Sequence, residues 1–182
     1  CDLLIIGGGP WGLAAATSAQ RARLSTIVVE ANVICSTIEQ YPTYVRFFST
    51  AEKLSLGDIP FLIATEKPTR RDALAYYRGV CLHFDIPLRQ YERVTHIDAS
   101  TRPFTVHSRT LGGAERATRA DAVVVATGYF GSPNRINVPG EDLPHVTHMY
   151  REGHEAFLQE VVVVGGGNSA AEAALDLCRS GA

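Results

Sequence analysis

An α/β fold of doubly wound parallel sheets is predicted for this 182-residue chain by three observations. Leu3 to Ile6 is an unbroken apolar run bounded by glycine, the pattern of a buried parallel strand. Gly7, Gly9 and Gly12 follow at G-x-G-x-x-G spacing, ahead of an Ala-rich stretch over 13–21 that suits a helix. Near the other end, Val161 to Val164 precedes Gly165-Gly166-Gly167-Asn168-Ser169-Ala170, and the unit repeats as G-x-G-x-x-A before a helix over 171–178. The expectation is two dinucleotide-binding domains of this doubly wound, Rossmann-like kind.

Each part of the first unit has a physical task. Gly7 permits the tight turn, Gly9 lets a pyrophosphate approach the backbone, and Gly12 lets helix and strand pack closely. Pro10 suits the first helical position, and Trp11 follows it. The free N–H groups of the helix start then face the phosphates. Thr26 to Val29 is a second apolar, β-branched run, and Glu30 ends it. A carboxylate there accepts bonds from adenosine ribose hydroxyls and disfavours a 2′-phosphate, so this site predicts FAD or NAD.

Composition narrows the class. The chain is 46% hydrophobic and 20% charged, with a formal net charge of −2. That is ordinary globular composition and gives no support for a nucleic-acid partner. Arg70-Arg71 reads as a solvated helix start. No apolar run approaches the roughly 20 residues of a membrane span, and no signal peptide is evident. Cys1, Cys35, Cys81 and Cys178 lie far apart, with neither a C-x-x-C pair nor zinc spacing. A reducing cytoplasm is the simplest compartment. The chain opens at Cys1 on a strand and stops at Ala182 just after a helix, so both ends read as cut.

Between the two units, residues 31–68 read as irregular. Tyr41 and Ser49 lie in the loop after the Glu30 strand, which faces the cofactor crevice in a doubly wound sheet, and both are candidates for flavin or substrate contact. Phe47 and Phe48 read as core. Thr69 to Phe84 reads as a helix opened by a Thr-x-x-Asp signal, with Leu74, Tyr77, Cys81 and Phe84 as its apolar stripe. Pro87 to Tyr91 is a third strand. Val94–Ala99, Phe104–Ser108 and Glu115–Thr118 form an antiparallel insert turned at Gly112-Gly113. Asp121 to Ala126 returns to the buried parallel type and ends in Ala126-Thr127-Gly128, where glycine again allows a ligand to approach. Residues 133–144 hold three prolines and read as an interdomain linker, which divides the chain into 1–138 and 139–182. His145, His148 and His154 follow without the register or carboxylate partner of a metal set, so no metal is expected.

Taken together, Gly7-Gly8-Gly9-Pro10 with Glu30, Ala126-Thr127-Gly128 and Gly165 to Ala170 resemble flavoprotein oxidoreductases of the glutathione and thioredoxin reductase type. Thr37 to Phe61, Lys67 to Arg78, Ala126 to Val146 and Arg151 to Phe157 are similar to the bacillithiol disulfide reductase family within that group. The resemblance covers essentially the whole chain. It implies FAD held by Gly7, Gly9, Gly12, Glu30, Thr127 and Gly128, and NADPH held by Gly165, Gly167, Asn168, Ser169 and Ala170. It also implies hydride passing from nicotinamide to flavin and then to a low-molecular-weight disulfide, and a homo-oligomer. In this group the chain returns after the nucleotide domain to complete the FAD domain, and that part is expected to be missing.

One departure matters. Members of that family usually carry a cysteine directly after Gly-Gly-Gly-Pro, and here the position is Trp11. Trp11 is no nucleophile, though it can stack on a flavin or fill space beside it. Cys35, five residues beyond Glu30, is the one cysteine placed to substitute, against an ordinary structural role. The catalytic residue stays unassigned. A flavin-dependent monooxygenase shares both glycine motifs and needs no active-site thiol, though its usual Phe-x-Gly-x-x-x-His fingerprint is missing around 143–148. A non-catalytic FAD-binding redox sensor is the alternative from another class.

Overall fold

The computed structural model describes residues 1–182. Four short strands form a parallel sheet: β1 (Leu3–Ile6), β2 (Thr26–Val29), β3 (Leu88–Arg89) and β7 (Ala122–Val125). Their order is β3-β2-β1-β7. Strands β4 (Glu92–Asp98), β5 (Phe104–Thr110) and β6 (Glu115–Ala120) make a separate antiparallel sheet inserted between β3 and β7. Helices α1 (Pro10–Arg21) and α4 (Arg70–His83) carry the long connections, and α5 (Asn168–Arg179) stands near the end of the chain.

Alternation along β1 builds a three-layer core. Ile5 points to the helical side, into a cluster with Leu13 and Ala16 of α1, Val28, and Ala73 and Tyr77 of α4. Leu4 and Ile6 point the other way, onto Val106 and Ala120 of the insert. A strand covered on both faces must be apolar throughout, which is why Leu3–Ile6 shows no polar alternation. The insert is tied down by Glu92, which is fully buried. Its carboxylate accepts from Ser108 Oγ and Arg116 Nη1 at 2.7 Å each, and Arg89 of β3 lies 3.7 Å away.

Helix α4 begins as its sequence requires. The Thr69 hydroxyl accepts from the Asp72 N–H while the Asp72 carboxylate accepts from the Thr69 N–H at 2.9 Å, a reciprocal cap. The stripe centres on Ala73, Tyr77 and Val80, with Leu74, Cys81 and Phe84 at its margins. Arg70 is not a solvated charge: its Nε donates to the Glu39 carbonyl at 2.9 Å, which anchors the one-turn helix α2 (Ser36–Glu39). Residues 31–68 also hold a second single turn, α3 (Ala51–Leu54), so this stretch is more ordered than its composition implies.

Four further expectations need correction. Val161 to Val164 forms no strand, because parallel pairing needs a neighbour and no segment lies beside it; Val162 is 87% exposed. Helix α5 starts at Asn168, three residues earlier than read, since its first turn is polar and carries no apolar periodicity. Phe47 packs on the core, but the chain bends at Phe48 and leaves its ring 75% exposed. His148 does have a carboxylate partner. Its Nε2 lies 3.0 Å from Glu141 Oε1, and Glu141 also accepts from the N–H groups of Ile136 and Asn137. Glu141 is thus a hub for the proline-rich segment, and these bonds, the His148 contact foremost, hold its carboxyl below the usual range. No helix is long and apolar enough to cross a membrane.

Candidate functional site

Strand register assembles the site. Ile6 pairs with Val29 on one side and Val125 on the other. The next residues, Gly7, Glu30 and Ala126, therefore leave the sheet at one level, at the carboxyl ends of parallel strands where ligands of doubly wound folds bind. The Gly7 N–H donates to Val29 O and the Ala126 N–H to Ile6 O, at 2.8 Å each.

The glycine turn is spatially demanding. A Cβ on Gly7 would lie 2.4 Å from the Ala126 carbonyl oxygen, and Gly7 has φ +109°, a region that favours glycine. A Cβ on Gly12 would lie 1.9 Å from the Gly7 carbonyl oxygen, so only glycine lets α1 come this close to its strand. Gly9 differs: a Cβ there would meet nothing within 4 Å. Gly7 and Gly12 serve the fold, whereas Gly9 opens onto free space above the helix start. No side chain caps α1, Pro10 has no N–H, and the N–H groups of Trp11 and Gly12 donate to nothing in the chain. Two free donors at a helix N-terminus, facing a position kept clear of side chain, fit a phosphate.

Glu30 closes the other side. It is buried, and Oε2 accepts from the Gly8 N–H at 2.7 Å while Oε1 accepts from the Asn32 N–H at 2.8 Å. These bonds fix the carboxylate beside the glycine turn and leave each oxygen a lone pair for a ribose hydroxyl. Gly8 itself escapes the spacing rule, although its N–H orients this acid.

On the β7 side, Trp11, Ala14, Ala15 and Ser18 of α1 face Val124 to Gly128 across an open cavity of about 650 Å³. Trp11 stands at its mouth, 83% exposed. The three α1 partners were missed in the sequence, yet they follow Trp11 at offsets of three, four and seven, one helical face. Tyr41 lies half-buried, its ring 6.0 Å from Phe47 and 5.8 Å from Phe130, and burial raises its hydroxyl pKa. Tyr129 stacks on Phe130 at 4.6 Å, so the segment after Thr127-Gly128 adds an aromatic rim. Ser49 lies half-buried in the same loop as Tyr41, with no side-chain hydrogen bond.

Cys35 does not join the site chemically. It is 2% exposed, and its thiol faces the Gly8 carbonyl oxygen at 3.7 Å. Burial pushes its pKa up to about 12, and its packing with Ile38 and Tyr77 is that of a small core hydrophobe.

The second glycine unit repeats the helix start without the sheet. Gly167 caps α5 with no side-chain bond, and the N–H groups of Asn168 and Ser169 have no acceptor in the chain. A Cβ on Gly165 would meet the Ala170 methyl at 3.3 Å, so alanine at the last position of the motif still permits close packing. The segment ahead of this unit is tied to the loop after β2. The Thr43 hydroxyl donates to Glu152 at 2.9 Å and the Thr43 N–H to Arg151 O at 3.0 Å.

Comparison with known proteins identifies the family. The family model of pyridine nucleotide-disulphide oxidoreductases matches residues 4–182. Bacilliredoxin reductase Bdr of Bacillus subtilis (strain 168) is 39% identical over 98% of this chain and 54% of its own. The structure of bacillithiol disulfide reductase Bdr from Bacillus cereus superposes with a TM-score of 0.97 at 44% identity, covering all of this chain and 56% of that one. A flavin monooxygenase from Stenotrophomonas maltophilia shares the fold, with a TM-score of 0.82 at 23% identity over 99% of this chain and 55% of that one. The chain thus spans about half the length of the relatives it matches. With a family model matched from Leu4 to Ala182, this chain belongs to the pyridine nucleotide-disulphide oxidoreductases.

Proposed function

We propose that the protein is an NAD(P)H-dependent FAD oxidoreductase whose acceptor is a low-molecular-weight disulfide such as bacillithiol disulfide. The observation that carries this reading is the alignment of Gly7, Glu30 and Ala126 by register, with open space at Gly9 and two unused N–H donors behind it. Likeness to the two Bdr proteins supports the choice of acceptor.

Residues 1–138 hold FAD and residues 139–182 begin the NADPH unit. Trp11, Gly12 and the turn Gly7-Gly9-Pro10 receive the pyrophosphate, and Glu30 takes the ribose. Thr127 and Gly128 border the flavin half, and Tyr41, packed against Phe130, and Ser49 of the same loop are the further contacts proposed for flavin or substrate. Gly165, Gly167, Asn168, Ser169 and Ala170 receive the nicotinamide dinucleotide in the same manner. Bound there, FAD would supply two-electron redox chemistry between the nicotinamide nucleotide and the acceptor. The protein's part is to hold both nucleotides at helix starts and to keep the Glu30 carboxylate oriented. A homo-oligomer in a reducing cytoplasm, where product thiols stay free, completes the proposal.

The test uses the full-length protein loaded with FAD, reduced anaerobically by NADPH while flavin absorbance is followed. Recovery of the oxidised spectrum on adding bacillithiol disulfide supports the reading. Recovery only when oxygen is admitted turns it toward a flavin monooxygenase, the second reading that the shared fold favours. Bound FAD that NADPH never bleaches would leave a redox sensor.

A further inference from the structure

The cysteines of this chain stand where disulfide exchange cannot use them. Exchange requires an accessible thiolate within reach of the substrate. Cys35 is the nearest to the site, yet it is sealed in the core below the Gly8 carbonyl. Burial raises its thiol pKa, so the thiol stays protonated as well as inaccessible. Cys81 sits on the inner face of α4, and burial lifts it to about 11. Cys1 precedes β1 at the amino ends of the parallel strands, opposite the crevice. Cys178 is exposed, but it lies in the last turn of α5, about 15 Å along the helix from Asn168.

The position where a thiol would be activated is occupied by something else. Trp11 is in the first turn of α1, where the N-terminal partial positive charge depresses a thiol pKa. Its indole is 83% exposed at the cavity mouth, facing Thr127 and Gly128, and forms an apolar wall where a nucleophile could stand.

We propose that the disulfide is reduced at the mouth framed by Trp11 and Thr127-Gly128 without ever forming a mixed disulfide with Cys1, Cys35, Cys81 or Cys178. This rests on the disulfide reductase reading above. The balance is NADPH + H⁺ + RSSR → NADP⁺ + 2 RSH. The S–S bond breaks, each sulfur gains one electron and ends with one proton, and NADPH is the two-electron reductant. Trp11 contributes an apolar boundary and no bond. A thiol at the same position would behave differently: it would attack the disulfide, form a Cys–S–S–R link and release one RSH.

The experiment takes full-length, FAD-loaded protein, reduces it anaerobically with NADPH and adds bacillithiol disulfide. Samples are quenched with N-ethylmaleimide during turnover and analysed by intact mass and peptide mapping. The expected result is NADPH consumption with all four cysteines remaining free thiols, labelled by maleimide once the quenched protein is unfolded, and none carrying a bacillithiol adduct or joined in a disulfide. An adduct or an NADPH-dependent disulfide at any of the four overturns the proposal. Cys35→Ala should keep its turnover within twofold; a tenfold loss with FAD content and melting unchanged overturns it too. Trp11→Cys should capture the substrate as a bacillithiol adduct at position 11, and failure of that variant to trap it removes the disulfide from this mouth. If the wild-type cofactor simply stays reduced after disulfide is added, the disulfide reductase reading itself fails, and this inference falls with it.

Discussion

The two glycine turns are near copies in sequence and unlike in structure. The first lies between β2 and β7, with Gly7 pressed on the Ala126 carbonyl and Gly12 on the Gly7 carbonyl. The second caps α5 in the same way, but its valine run is unpaired and exposed. The motif therefore encodes the turn and the helix start, which are local. The strand before it is a property of its neighbours, because parallel ladders are completed only by other segments.

The sharpest way to break this comparison is to put one charge in each run. Val28→Asp buries a carboxylate at a site of 0% exposure and should destabilise the chain by several kcal/mol, enough to abolish a cooperative melt. Val162→Asp, at 87% exposure, should leave the melt of these 182 residues within about 0.5 kcal/mol of wild type. Equal damage from both would show that the second run is packed after all.

Next in size is the pair Gly12→Ala and Gly167→Ala. The first drives a methyl against the Gly7 carbonyl and should cost about 3 kcal/mol in denaturant titrations, with loss of FAD. The second meets nothing within 4 Å and should leave folding unchanged while weakening the nicotinamide nucleotide. Gly9→Ala separates fold from site within the first turn. Its melt should match wild type, but FAD affinity by equilibrium dialysis should fall at least about tenfold, or about 1.4 kcal/mol.

The smallest effect concerns the segment that joins the two turns. Glu141 has its carboxyl depressed in the folded chain. A depressed acid contributes stability above its unfolded value of about 4.3 and loses it as pH falls through the lower folded value. Glu141→Gln should flatten that acid limb. Proteolysis at 133–148, followed from pH 6 to pH 3, should accelerate for wild type and stay nearly level for the variant.

How much of this was legible in the sequence depended on how far the determining contacts reach. The glycine turns, the capping box at Thr69 and the both-face burial of Leu3–Ile6 were readable, since each rests on residues within a turn or on strand period. Glu30 was readable as an acid at a strand end, but not as a carboxylate steered by the Gly8 N–H. Arg70 and His148 were misread because their partners, the Glu39 carbonyl and Glu141, are chosen by tertiary approach. Phe48 was misread because aromatic composition does not say which way a ring turns at a bend in a loop. The wall of Ala14, Ala15 and Ser18 was missed because small residues on a helix face read as packing against something, and here they front a cavity.

Trp11 is the one tryptophan of the chain, and it stands unburied beside the proposed flavin half of the site. Among these 182 residues it is the only indole, and it stands at the place of greatest interest. Its emission needs no correction for indoles elsewhere in these residues. Resonance transfer from that indole to a bound isoalloxazine would quench it, and displacement of water from its face would shift its colour toward the blue. Cofactor loading, acceptor entry and product exit can thus be timed optically on the unmodified chain, with no label attached.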